Sequence, residues 1–337
     1  MNSLERYLAV LNRQPPDFLP RIPILMQFAA EYIGENYAAF AADYRVLVRA
    51  NLACARDFGM DQLSAISDPF RETHGFGGEI VFYPDGPPRC PHPPLSEKKD
   101  LALLKPADPL TDERMLDRIA AIREYRKQAG GEYSILGWIE GPAAEAADLR
   151  GVANFMLDLM DDEAYAAELM DRCAEVGIAF ARAQLEAGAD TIGMGDAIAS
   201  QLSPSLYQRL VQPREKRLVD AIHKLGGLVR LHICGNITHL LPGIAKLGVD
   251  ILDVDHPVDM GTARTTVGHK VTLAGNLDPV AAVMQGTPEN IRDQVRRIYE
   301  QVGNPFMIAA GCEIPSRTPA ENLQALCEPV SFSLKMR

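Results

Sequence analysis

The sequence predicts one α/β domain, a single (β/α)8 or TIM barrel, over residues 1–337. Eight short runs rich in β-branched and other apolar residues alternate with longer amphipathic runs along the chain. Alternation of this kind favours parallel strands joined by helical crossovers. No linker divides the chain, and 337 residues are enough for one large barrel with its active site at the C-terminal mouth.

The eight strands are expected at 21–26, 62–66, 133–137, 191–194, 228–232, 251–254, 271–274 and 306–309. Helices are expected at 41–58, 112–129, 151–159, 163–187, 204–225, 240–247 and 288–302, with a last one from Pro319. The glycine- and proline-rich stretch 68–110 is expected to be a long loop with a hairpin near 79–83.

Three of the helix starts carry a capping signal. Ser203, Thr287 and Thr318 each precede a proline, which places a capping hydroxyl before proline at the first helical position. Thr318 and Glu321 also have the spacing of a capping box. These boundaries support the proposed order of elements.

A doubly wound open sheet is the rival architecture. It should carry a glycine-rich phosphate loop directly after the first strand. Residues 27–31 read Gln-Phe-Ala-Ala-Glu and contain no glycine, which disfavours a dinucleotide-binding fold.

The bulk properties exclude several classes of function. A net charge of -11 disfavours nucleic acid or an anionic membrane as partner, because both would be repelled. No apolar run reaches the roughly 18 residues that cross a bilayer, and residues 1–13 lack the apolar core of a signal peptide. We therefore expect a cytoplasmic enzyme whose six cysteines are not a disulfide framework. The oligomeric state stays open, and a homo-oligomer is compatible with the sequence.

Polar residues follow the predicted strands, where catalytic groups of such barrels lie. They are Gln27, Glu31, Asp68, Glu140, Asp196, His232, Cys234, Asp255, His256, Asn276, Asp278, Cys312 and Glu313. Turns and helix caps also require Asp and Asn, so the pattern alone leaves structural and catalytic roles open for most of them.

His232, Cys234 and Cys312 form a more specific pattern. Residues i and i+2 of a strand point to the same side, so His232 and Cys234 are a ready pair of zinc ligands. Cys312 follows the last strand, and Gly235 and Gly311 flank the two cysteines. Three N/S ligands would leave one open position, as in catalytic zinc sites. A core histidine with two inert thiols is the alternative reading of the same residues.

Three segments resemble the uroporphyrinogen decarboxylase superfamily, and within it the zinc methyltransferase branch. Residues 232–236 read His-Ile-Cys-Gly-Asn, residues 275–279 read Gly-Asn-Leu-Asp-Pro, and residues 311–315 read Gly-Cys-Glu-Ile-Pro, followed by Thr318, Pro319 and Glu321. That branch includes the methylcobamide:coenzyme M methyltransferases and corrinoid-dependent demethylases. The resemblance implies a TIM barrel and a zinc site at His232, Cys234 and Cys312.

The chain departs from the decarboxylases at functional positions. Their stretch after the first strand carries two arginines for the porphyrinogen carboxylates, whereas residues 26–32 here read Met-Gln-Phe-Ala-Ala-Glu-Tyr. Their tyrosine corresponds to Asp148 and their histidine after the last strand to Cys312, while the pair Ser67-Asp68 is kept. These differences disfavour decarboxylation of a tetrapyrrole with many carboxylates.

The resemblance implies methyl transfer between a corrinoid, held on a separate partner protein, and a thiol or small methylated substrate. We expect Asp68 and Asp196 to orient substrate or corrinoid and Asn276 to hydrogen-bond near the metal. Glu140 or Glu31 is expected to fill the fourth zinc position or to transfer a proton. The sequence names neither the methyl donor nor the acceptor.

Two other functions stay open at this stage. A cofactor-free decarboxylase of the uroporphyrinogen type would use Asp68 as the charge partner of the pyrroles and would need no metal. A binding protein without turnover would close its zinc site with a fourth protein ligand. Metal analysis distinguishes the first alternative from a zinc methyltransferase.

Overall fold

The computed structural model describes residues 1–97 and 99–334. Its strands are β1 (Gln62–Ser64), β2 (Val81–Tyr83), β3 (Gly86–Arg89), β4 (Ser134–Glu140), β5 (Thr191–Gly195), β6 (Leu228–His232), β7 (Ile251–Val254), β8 (Thr272–Leu277) and β9 (Phe306–Ala310). Seven of them form one parallel sheet in the order β1-β4-β5-β6-β7-β8-β9, and β2 pairs with β3 as the predicted hairpin. The parallel α/β architecture is therefore confirmed.

The segment 20–24 lies between the two edge strands of this sheet. The amide of Ile22 donates to the carbonyl of Ile308 in β9 at 2.8 Å, and the amide of Asp61, next to β1, donates to the carbonyl of Arg21 at 2.8 Å. The predicted strand at 21–26 is thus an extended segment with a single bridge, at Arg21, and not a regular strand. Two prolines in the segment lack the amide hydrogens that a full ladder needs.

The helices are α1 (Ser3–Leu11), α2 (Gln27–Tyr32), α3 (Tyr37–Ala42), α4 (Tyr44–Phe58), α5 (Arg71–Gly75), α6 (Glu113–Ala129), α7 (Pro142–Arg150), α8 (Val152–Asp161), α9 (Glu163–Ala187), α10 (Pro204–Leu206), α11 (Gln212–Lys224), α12 (Leu241–Ile244), α13 (Met260–Val267), α14 (Pro288–Val302) and α15 (Ala320–Leu326). None of the helices in the described part of the chain is long and apolar enough to cross a membrane.

The helix predictions differ from the structure in several places, and α1, α2 and α5 were not among the expected helices. The helix expected at 41–58 is two helices, α3 and α4, because Asp43 caps the second with its side chain. The one expected at 204–225 is interrupted by a π-helical segment, Tyr207–Val211. Helices α7 and α13 were missed: α7 is buried on almost every face and so lacks a polar stripe, and the Gly- and Thr-rich α13 has low helix propensity.

Helix α1 covers the N-terminal end of the barrel. Its Tyr7 is fully buried and its hydroxyl lies 2.7 Å from the hydroxyl of Thr191 at the start of β5. Around it is a small apolar cluster that comprises Tyr7, Val10, Ile22, Ile251, Ala274, Met307 and Ala309. Since this end is closed by packing, the opposite end, where the strands terminate, is the one available for a site.

Candidate metal centre

The structure brings the three predicted ligands together. His232 is the last residue of β6, Cys234 lies two residues beyond it, and Cys312 lies two residues beyond the end of β9. The Nε2 atom of His232 is 3.1 Å from the Sγ atom of Cys234 and 3.6 Å from that of Cys312, and the two sulfurs are 3.8 Å apart. Within the described ranges, these three residues are the one group of His, Cys, Asp and Glu with the spacing of a metal site.

The spacing of the donor atoms fits zinc. Zn–S bonds of about 2.3 Å and Zn–N bonds of about 2.0–2.1 Å, in a tetrahedral site, require about 3.8 Å between two sulfurs and about 3.6 Å between sulfur and nitrogen. Two of the three observed separations, 3.8 and 3.6 Å, match these values, and the third, 3.1 Å, is shorter. One imidazole and two thiols are also the donor set that zinc prefers over magnesium or calcium.

A buried ion pair lies behind the imidazole. The Nδ1 atom of His232 is 3.6 Å from the Oδ2 atom of Asp253, the residue opposite it in β7. Nε of Arg230 donates to both carboxylate oxygens of Asp253 at 2.9 and 2.8 Å, and this cation keeps the pKa of Asp253 low although burial opposes it. Asp253 therefore stays ionised and lies beside Nδ1 of His232, while Nε2 faces the two sulfurs; the 3.6 Å separation is an ion-pair distance and is longer than a hydrogen bond.

The two cysteines are electrostatically coupled. Their contact lowers the pKa of the Cys312 thiol to about 4, helped by the neighbouring His232, and raises the pKa of the Cys234 thiol. One sulfur of the pair is therefore a thiolate at neutral pH, and the thiolate is the form of cysteine that binds metal ions.

Two glycines allow the ligand-bearing loops to meet at Asp255. Gly235 has a positive φ of 89°, and its amide donates to the Oδ2 atom of Asp255 at 2.6 Å. A Cβ atom on Gly311 would come within 2.6 Å of both Asp255 Oδ1 and the amide nitrogen of His256. Asp255 thus binds the backbone beside Cys234 and packs closely against Gly311 beside Cys312. A side chain would be strained by the positive φ at Gly235 and would clash with Asp255 at Gly311.

A pocket of about 170 Å³ opens beside the three ligands. Its apolar wall consists of Ile24, Met26, Ile66, Pro69 and Trp138. The volume is below the roughly 300–1,000 Å³ of sites for drug-sized ligands, so the pocket suits a small molecule.

Two of the predicted catalytic residues, Asp68 and Glu140, line this pocket. Asp68 is bound by both terminal nitrogens of Arg114, at 2.9 and 2.7 Å, and this pairing lowers its pKa although burial opposes it. Glu140 accepts from Arg71 at 2.8 Å and from the Trp138 indole at 3.1 Å. Burial nevertheless raises the pKa of Glu140 well above its usual value.

Two other predicted residues, Asp196 and Asn276, bond mainly to the backbone around the site. Asp196 is fully buried and accepts from the amides of Ala143 and Ala144 at 3.4 and 2.7 Å, so it caps α7 instead of facing the pocket. The Asn276 amide donates to the carbonyls of Asp255 and Val258 at 3.2 and 2.8 Å and holds the loop after β7. Both placements are structural.

Glu31 is exposed and bonds to Gln27, outside the set of residues that could hold a metal. Glu313, in contrast, lines the pocket and had no assigned role. One of its carboxylate oxygens accepts from the amide of Gln27 at 3.1 Å, and burial raises the pKa of Glu313 to about 7. The sequence signal for Glu313 as a residue of the pocket was its position directly after Cys312.

Glu145 is a second buried carboxyl group, and its burial makes the stability of the fold depend on pH. Glu145 is 1% exposed; one oxygen accepts from the hydroxyl of Thr73 at 3.0 Å and the other has no partner. Burial raises the pKa of Glu145 well above its ordinary value, and Glu72 adds to the effect. A carboxyl group of this kind stabilises the fold fully below its unfolded-state pKa and progressively less as the pH rises towards its folded-state pKa.

We therefore expect Glu145→Gln to flatten the pH dependence of stability. Urea unfolding between about pH 5 and pH 8 gives the free energy of unfolding at each pH. The loss of this free energy with rising pH should be smaller in the variant by up to about 1.4 kcal/mol per pH unit, the contribution of one proton. The exposed Glu300 offers a matched control, Glu300→Gln. Identical slopes for both variants and the parent protein would contradict the expectation.

Comparisons with known proteins show which family the chain resembles over its whole length. The chain is 31% identical over 335 residues to the methylcobamide:CoM methyltransferase MtbA of Methanosarcina acetivorans, which covers 96% of both chains. It is 27% identical over 354 residues to the uroporphyrinogen decarboxylase of Pseudoalteromonas atlantica, covering 98% of this chain and 97% of the relative.

A solved methyltransferase from Methanosarcina mazei has the same fold, with a TM-score of 0.88, 24% identity and 97% coverage of both chains. Residues 2–331 match the family described as uroporphyrinogen decarboxylase (URO-D). On this match over nearly its whole length, the chain belongs to the uroporphyrinogen decarboxylase family.

Proposed function

We propose that this protein is a zinc-dependent methyltransferase that moves a methyl group between a corrinoid on a partner protein and a thiol or small methylated substrate. The observation that carries the proposal is the convergence of one imidazole and two thiols, at His232, Cys234 and Cys312, beside a largely apolar pocket. The identity to a methylcobamide:CoM methyltransferase supports the same reaction class.

The three ligands leave one position of a tetrahedral ion for a reacting molecule, because the described residues add no fourth donor to the group. When bound, zinc supplies Lewis acidity that lowers the pKa of a coordinated thiol and so provides a nucleophile near neutral pH. The chain's own contribution is to hold the donors: Asp253 lies beside the imidazole of His232, and Asp255 binds the Gly235 amide next to Cys234 and packs against Gly311 next to Cys312.

The pocket walls provide the remaining parts of the proposed site. Ile24, Ile66 and Trp138 exclude water from the position beside the ligands, which strengthens electrostatic interactions there. Asp68 and Glu140 are held rigidly by arginines and are proposed to orient the small substrate. Asp196 and Asn276 are not part of this proposal, since their hydrogen bonds serve α7 and the loop after β7.

Decarboxylation of a porphyrinogen is the less supported alternative. It would require Asp68 as the charge partner of the pyrroles, but Asp68 is already neutralised by Arg114.

The proposal is tested by metal content and methyl transfer in one preparation. Elemental analysis of the purified protein should find about one zinc ion per chain, as a single three-ligand site requires. Incubation with free methylcobalamin and a panel of thiols should yield a methyl thioether together with demethylated cobalamin. A protein that holds no zinc after incubation with it, or that transfers no methyl group when zinc is bound, would refute the proposal.

A further inference from the structure

Resting on the proposed methyl transfer, we propose that the small substrate of this pocket carries no negative charge: a neutral or cationic thiol or methylated compound. This deepens the proposed function, because the relatives named for coenzyme M act with a thiol that ends in a sulfonate. The charges of the side chains around the pocket support this preference.

The residues that line the pocket offer an anion no counter-charge. Within the described part of the chain, the lining includes no lysine or arginine. Apart from the three candidate ligands, its titratable side chains are Asp68, Glu140 and Glu313, and all three are acids. Each of them is either neutral or negative, so none offers a positive charge to a sulfonate, carboxylate or phosphate. The remaining wall is apolar, and burying an unpaired anion there is unfavourable.

The nearest cations are already used by these acids. Arg71 is fully buried and donates to the Glu140 carboxylate at 2.8 Å and to the backbone carbonyl of Asp68. Arg114 binds both carboxylate oxygens of Asp68 and also donates to the carbonyl of Phe70 at 3.0 Å. An anionic substrate that used one of these arginines would compete with the carboxylate already bound to it, and the displaced carboxylate would be left without its cation.

The acids of the lining can bind a ligand that donates hydrogen bonds. Glu140 and Glu313 lie in the pocket wall together with the three candidate ligands. Their carboxyl oxygens accept hydrogen bonds from an ammonium or hydroxyl group, whereas the described lining offers a sulfonate no cation. The site is thus complementary to neutral or cationic ligands.

Three thiols that share a two-carbon spacer and differ in the charge of the end group test the preference: 2-mercaptoethanesulfonate, 2-mercaptoethanol and cysteamine. In the reaction with methylcobalamin the S–CH3 bond forms as the Co–CH3 bond breaks, the electron pair of that bond stays on cobalt, and the thiol proton passes to buffer. For each thiol, the initial rate with the zinc-loaded protein is expressed per unit of thiolate concentration. This value is divided by the uncatalysed rate expressed in the same way, which removes differences in intrinsic nucleophilicity. Calorimetric titration of the same protein with each thiol gives the dissociation constants independently of turnover.

We expect kcat/KM and affinity for 2-mercaptoethanol and cysteamine to exceed those for 2-mercaptoethanesulfonate by at least about 10-fold, or roughly 1.4 kcal/mol. This difference between the sulfonate and the other two thiols should decrease only slightly at high salt concentration, because the charges are buried. Equal or better use of the sulfonate overturns this inference while leaving the methyltransferase proposal intact. Tight binding in the expected order without methyl transfer rejects the proposed function and supports the charge preference, and a lack of binding by all three thiols rejects both.

Discussion

Replacing Cys234 by alanine is expected to remove zinc from the protein and to reduce methyl transfer by at least ~100-fold. Loss of a group that merely orients a metal ligand typically costs roughly 10–100-fold in metal affinity or activity, and the sulfur of Cys234 is a proposed ligand itself. It lies 3.1 Å from His232 Nε2 and 3.8 Å from Cys312 Sγ, so its removal leaves two donors where three converge. Elemental analysis after dialysis and the methylcobalamin assay measure the two effects.

The matched control is Cys90→Ala. Cys90 is a partly buried thiol outside the group of candidate ligands, and its variant should retain zinc and activity. Cys312→Ala should behave like Cys234→Ala. Stoichiometric zinc in either ligand variant would show that the metal, if any, is held elsewhere.

Replacing Arg230 by methionine is expected to lower the free energy of unfolding by about 3–5 kcal/mol, the cost of leaving one partner of a buried ion pair alone. Arg230 is 1% exposed. Besides Asp253 it binds the Gln62 side chain at 2.6 Å and the Ile22 carbonyl at 3.0 Å, so it connects β6, β7, β1 and the segment 20–24. Urea unfolding compares the variant with the parent protein.

A double variant tests whether the stability lost in Arg230→Met comes from the broken ion pair. Arg230→Met combined with Asp253→Leu removes both charges and should recover part of the lost stability, since an apolar pair of similar volume often replaces a buried ion pair without loss. The surface control is Arg217→Met, because Arg217 is 43% exposed where it pairs with Glu175 at 3.3 Å. That substitution should change stability by no more than about 0.5 kcal/mol. A loss below about 1 kcal/mol for Arg230→Met would contradict the expectation.

Much of the candidate site could be predicted because its signals are local. His232 and Cys234 are two residues apart at a strand end, and strand geometry alone places their side chains on one side. The rhythm of strands and helices then implies that Cys312, after the last strand, reaches the same end of the barrel. The strand ranges 228–232 and 251–254 matched the structure for the same reason, as uninterrupted apolar runs bounded by turns.

The sequence by itself therefore determined the parallel α/β architecture and the three donors that converge at its C-terminal end. Only the tertiary structure decided which acids are free to act: Asp68 and Glu140 are paired with Arg114 and Arg71, and Asp196 caps α7. It also decided that the segment 20–24 joins β9 to β1 through a few hydrogen bonds. The physical reason is that periodicity encodes which side a residue faces, whereas the pairing of buried charges depends on distances between residues far apart in the chain.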